Sequence, residues 1–198
     1  MRKHNYHIVL QVSTLIFALA TVIQVQVNGT GEESIEWLIA TTAYTSAILF
    51  SVAFGISSVY FFLRDKWSKL IFRLRPHIGL VFGVSHTFHL FFIIWLDSSI
   101  ESVFSTVNTI SLIGGIIAYG FIYVLMFTTF PRIKRKMNPL YWKALRLVGS
   151  YWIWAVFLIF YLREVKVTGD GLMMLILLIA VIVLRQVHVF FKRRREVR

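Results

Sequence analysis

The twenty residues His77–Leu96, HIGLVFGVSHTFHLFFIIWL, decide how this chain is read. They hold no aspartate, glutamate, lysine or arginine. At about 1.5 Å of rise per residue, a helix of that length crosses the roughly 30 Å hydrocarbon layer of a bilayer. A soluble strand or core helix is shorter, and a barrel strand alternates polar with apolar residues instead of running apolar throughout. The stretch predicts a membrane-spanning helix.

Five further runs read the same way: His7–Val27, Trp37–Leu63, Val103–Phe130, Leu145–Leu162 and Leu172–Phe191. The expected fold is all-α, one transmembrane domain over residues 1–198 with six spans in a bundle. Composition agrees. Charged residues are 15% of the 198 and hydrophobic ones 58%, against about 25% charged in a soluble domain. With no cysteine, disulfide scaffolds, thiolate zinc sites and cysteine-held iron–sulfur clusters are excluded. No glycine-rich phosphate loop occurs, and the connecting loops are too short for a soluble catalytic domain.

The net charge of +12 is explained by where the charges sit. The basic residues cluster at the N-terminus, at Arg64–Arg75, at Arg132–Arg146 and at Arg185–Arg198; only Arg163 and Lys166 fall in the other set of loops. That other set carries Glu32, Glu33, Glu36, Asp97, Glu101, Glu164 and Asp170. The positive-inside rule then predicts both termini in the cytoplasm. Basic residues at span ends are orientation signals and headgroup contacts, and no segment is long enough to form a nucleic-acid surface. Arg2, Lys3 and Ala18-Leu19-Ala20 also suit a cleaved secretory signal, but the apolar run continues through Val25, which favours a retained span. Residues 64–76 and 131–144 mix basic side chains with Trp67, Phe72, Tyr141 and Trp142 and are expected to lie as amphipathic segments in the interface.

Ionisable groups at membrane depth are costly, so they are the default functional candidates. His86 and His89 lie one turn apart on one face of the third span, near its middle. Imidazole there serves as a haem or metal ligand or as a proton relay, or else as a hydrogen-bonding contact between helices. His4, His7, His77 and His188 fall at span ends, where an interfacial role is expected. Gly79 and Gly83 precede the pair as a GxxxG, which suits close helix packing or room for a flat cofactor.

The stretch Arg75-Pro76-His77-Ile78-Gly79-Leu80, followed by Thr87-Phe88-His89-Leu90, resembles the ferric reductase-like transmembrane family, nearest its MsrQ (YedZ) haem-binding membrane subunit type. Gly114–Thr129, Arg132–Lys136 and Trp142-Lys143-Ala144-Leu145 resemble that family's fourth span, basic loop and start of the fifth span. The resemblance implies an electron-transfer subunit of an oxidoreductase in the bacterial cytoplasmic (inner) membrane. It would carry b-type haem and work with a quinone or a separate redox partner protein. It further implies His89 as an axial ligand of haem iron, His86 as a second ligand or proton partner, Gly79 and Gly83 as clearance, and Arg75 and Arg146 facing propionates or an anionic headgroup. The departure is Arg146, which stands where the family has a histidine, and Leu147–Leu162 contains none. Arginine has no lone pair to give iron, so the usual bis-histidine pair is not expected. A haem-free membrane scaffold or partner subunit is the alternative; a small transporter is disfavoured by the lack of paired interior carboxylates and broken helices.

Overall fold

The computed structural model describes residues 5–96 and 109–196, and all regular structure among them is helical. The elements are α1 (Tyr6–Asn28), α2 (Glu32–Leu63), α3 (Lys66–Leu96), α4 (Thr109–Phe127), the single turn α5 (Pro131–Lys134), α6 (Pro139–Val167) and α7 (Leu172–Glu196). Five of them, α1, α2, α3, α6 and α7, are long and apolar enough to cross a membrane. The expected fourth span, Val103–Phe130, lies partly outside the described residues; within them α4 supplies the shorter apolar run Leu112–Phe127.

Local chemistry sets the ends. Glu32 and Glu33 occupy the first turn of α2, where the helix dipole favours negative charge. Arg64 ends α2 with a left-handed backbone, φ 52°, and its N–H bonds to the Tyr60 carbonyl. Asp65 then starts α3 by accepting hydrogen bonds from the backbone N–H groups of Trp67 (3.3 Å) and Ser68 (3.1 Å). Two residues therefore reverse the chain. α2 and α3 run antiparallel, touching at one end through Tyr60 on Phe72 (ring centroids 5.2 Å apart) and at the other through Ile35, Leu38 and Phe92. Asn138 caps α6 by accepting from Leu140 N–H at 2.8 Å, with Pro139 in the first turn where its missing N–H costs nothing.

The structure gives two segments expected at the interface their helical context. From Lys66, residues 64–76 are the first turns of α3, which runs unbroken through Pro76. An interior proline removes one N–H and crowds the carbonyl one turn earlier, a cost that spanning helices tolerate where neighbouring groups take up the freed carbonyl. Residues 131–144 divide into α5 and the first turns of α6. α6 also extends past both ends of the expected fifth span, because hydropathy marks where lipid is and not where the helix stops.

One core joins five helices: Ala47, Phe50 and Phe54 of α2, Phe82 of α3, Ala118 and Ile122 of α4, Ile153, Phe157 and Tyr161 of α6, and Leu175 and Leu178 of α7. The inner face of α2 is lined with small residues, among them Ser46, Ala47, Ser51, Gly55 and Ser58, all buried. Small residues let helix backbones approach in a medium where lipid competes for every apolar side chain. α1 is peripheral, burying only Tyr6 and Ser13 and resting on α3 through Phe17 against Phe88, 5.6 Å apart. Leu15, Leu19, Ile23, Ile116, Ile159 and Ile176 point outward, fully in keeping with a lipid solvent.

Candidate functional site

α3 carries His86 and His89 into the interior, where their rings stack at 5.2 Å with planes 23° apart. The two are held differently. Nδ1 of His89 lies 3.0 Å from the carbonyl oxygen of Ile39 on α2. A carbonyl only accepts, so Nδ1 carries the hydrogen and Nε2 keeps its lone pair. Thr42 Oγ1 sits 3.3 Å from the same nitrogen while donating to the Leu38 carbonyl at 2.7 Å. His86 makes no such bond: its Nδ1 is buried without a hydrogen-bond partner among the described residues. Its surroundings are aromatic. Tyr119 of α4 stacks on it at 4.8 Å, Phe157 of α6 meets it edge-on at 5.4 Å, and Phe82 lies at 5.7 Å. The Tyr119 hydroxyl donates to the His86 backbone carbonyl at 3.4 Å.

The residues present do not fit a bis-histidine haem. α6 has no histidine, and the α6 side chain facing His86 is Phe157, which offers no ligand atom. The two glycines differ. A Cβ on Gly83 would come 2.8 Å from Met126 Sδ, so the clearance it creates is filled by α4. A Cβ on Gly79 would meet nothing within 4 Å. Gly79 instead opens onto a cavity of about 70 Å³ toward the basic ends of the helices, shared with Arg75 and Arg146.

Arg75 and Arg146 thus stand away from the histidine pair, at that cavity. Arg75 Nε donates to the Ala53 carbonyl of α2 at 2.7 Å. Arg146 lies over the Trp142 ring, 4.9 Å from its centroid. A third arginine, Arg185 of α7, joins them: its Nη1 donates to the Phe54 carbonyl at 3.1 Å and its Nε to the Tyr151 hydroxyl at 3.2 Å. Sequence reasoning assigned Arg185 to the basic tail, although its position inside the Leu172–Phe191 run was the signal of an intramembrane charge. Tyr119 and the Ile39 carbonyl carried no such signal, because an aromatic or a backbone group in an apolar run looks like any other.

The remaining histidines are peripheral. His77 stacks on Tyr6 at 5.0 Å, and His7 meets Phe130 at 5.0 Å. His188 Nδ1 is 3.0 Å from Ser58 Oγ with its ring 4.3 Å from Phe61. His4 lies outside the described residues. Another interhelical polar contact had not been singled out from sequence: Ser46 Oγ donates to Ser85 Oγ at 2.9 Å, and Ser85 to the Thr42 carbonyl at 3.3 Å. No group of three or more histidine, aspartate or glutamate side chains among the described residues could hold a metal ion. No family model, curated protein or solved structure matches this chain.

Proposed function

We propose that this chain is a six-span subunit of the bacterial cytoplasmic membrane, with both termini in the cytoplasm, acting as a haem-free scaffold or partner subunit. One observation carries the reading: the α6 side chain that faces His86 is Phe157, which has no ligand atom, and the rest of its surroundings are the rings of Tyr119, Phe82 and His89 on α4 and α3. The interior polar groups serve contacts between helices: His89 with Ile39, Ser46 with Ser85, Arg185 with Phe54. Interhelical hydrogen bonds of this kind are worth about 0.6 kcal/mol on average in a membrane protein. They fix helix register more than they stabilise. The concentration of basic residues in one set of loops, with only Arg163 and Lys166 in the other, supports the orientation.

A second reading has one specific observation in its favour. Nδ1 donation from His89 to a backbone carbonyl, leaving Nε2 free, is how metal-binding imidazoles are oriented. In this reading the chain is an electron-transfer subunit of the kind it resembles, His89 would hold haem iron from one side, and electrons would come from a quinol and leave to a partner protein. Haem would supply one-electron redox chemistry there; the chain itself would orient the ligand through Ile39.

Titrating hemin into the purified protein, with His89→Ala beside it, separates the two. The scaffold reading predicts no saturable one-to-one binding that depends on His89. A stoichiometric endpoint lost in His89→Ala establishes the redox reading instead.

A further inference from the structure

Arg75, Arg146 and Arg185 come from three different helices; Arg75 and Arg146 line one cavity, and Arg185 is tied to the carbonyl of Phe54, which lines it too. Their hydrogen bonds and ring contacts among the described residues go to carbonyls, a tyrosine hydroxyl and aromatic faces, and none goes to a carboxylate. Three half-buried guanidinium groups side by side without a counter-charge are unfavourable, and a fold that keeps them there leaves a place for an anion. Arg75 and Arg146 both line the 70 Å³ cavity, together with Gly79, Ser150, Thr129 and Trp142. That space corresponds to about five water-sized positions, enough for a small oxyanion with part of its hydration.

We propose that this cavity is a binding site for a phosphate-bearing anion, held between Arg75 and Arg146 in the field of Arg185. The donors suit that chemistry. Arg75 commits only its Nε, to Ala53, so both of its Nη groups remain for a bidentate contact. Arg146 makes no hydrogen bond among the described residues and stands on the face of Trp142. Arg185 is fixed by Phe54 and Tyr151 and adds charge without needing to touch the ligand. Gly79 follows Arg75 by one turn on the same face, and its missing side chain keeps the cavity open. Phosphate can arrive here as the headgroup of an anionic phospholipid, entering from the bilayer at the level of Trp142, or as a free phosphate from the aqueous side. The site holds on either reading of the histidine pair.

The test is thermal unfolding of the full chain in a zwitterionic detergent, with phosphatidylglycerol added in one arm and inorganic phosphate in the other. Wild type is compared with Arg146→Gln, with Gly79→Leu, which fills the cavity without removing charge, and with the exposed control Arg132→Gln. Arg75 is left intact because it also holds α2. A midpoint that rises with phosphatidylglycerol, with apparent affinity weakened about tenfold in Arg146→Gln and Gly79→Leu but not in Arg132→Gln, supports a lipid site. The same pattern with inorganic phosphate supports a soluble ligand. No rise with either probe, or a rise that all three variants share, overturns the proposal.

Discussion

His89 reaches across from α3 to α2 and hydrogen-bonds the Ile39 carbonyl at 3.0 Å, while its neighbour His86, stacked on it at 5.2 Å, has a buried Nδ1 with no partner among the described residues. Two histidines that look equivalent on a helical wheel therefore have opposite energetic characters. His89 contributes an interhelical bond, and His86 carries a polar atom that burial penalises.

This difference predicts opposite responses to substitution. His89→Ala loses the bond and the ring and destabilises by about 1 kcal/mol, read as a lower unfolding midpoint in detergent. His86→Phe keeps the stacking on Tyr119 and removes the unsatisfied nitrogen, so its stability stays within about 0.5 kcal/mol of wild type or rises above it. A large loss in His86→Phe would mean that the imidazole has a polar role in the native protein.

The glycines of the third helix are predicted to separate as well. Gly79→Ala meets no atom within 4 Å and gains the helix propensity of alanine, stabilising by roughly 0.5–1 kcal/mol. Gly83→Leu drives a side chain into Met126 and costs about 1–3 kcal/mol of overpacking. If both glycines instead tolerated leucine equally, the close approach of α4 to α3 at Gly83 would be wrong.

How much of this was legible in the sequence depends on the kind of residue. The apolar runs around His77–Leu96 and Leu172–Phe191 exposed the spanning helices, since lipid demands a composition that water does not. Asn138-Pro139 signalled the true start of α6, although hydropathy alone placed the span later, at Leu145. The start of α3 at Lys66 was hidden because Pro76 and five basic residues resemble a break, while the two-residue turn at Arg64 and Asp65 leaves the helix no room to start elsewhere. The histidine pair could be found from its spacing. Its aromatic surroundings could not, because Tyr119 and Phe157 are 33 and 71 positions from His86 and only packing brings them there.

The turn between α2 and α3 carries a pH prediction. The hydrogen bonds from Ser68 and Trp67 hold the Asp65 carboxyl below its ordinary range. A carboxyl lowered in the folded state stabilises at pH values above its unfolded-state pKa, and that contribution is lost as the pH falls through the folded-state value. Amide exchange at Trp67 and Ser68 should therefore be faster in Asp65→Asn than in wild type at neutral pH, and the two should converge under acid conditions. A difference that persists unchanged in acid would assign the effect to something other than the charge.

The absence of cysteine makes orientation directly testable. Lys136→Cys and Thr168→Cys place single thiols at exposed positions on the basic and acidic sides. A membrane-impermeant maleimide should label Thr168→Cys in spheroplasts and Lys136→Cys only after permeabilisation. The reverse pattern would invert the topology.

The most direct measurement of the central claim is the visible absorption spectrum of the protein purified from haem-supplemented cells, recorded oxidised and then reduced with dithionite. The account predicts no Soret band and no change on reduction in a protein that is folded by circular dichroism. A Soret band that sharpens on reduction and disappears in His89→Ala would contradict it and make the chain a haem-bearing electron carrier.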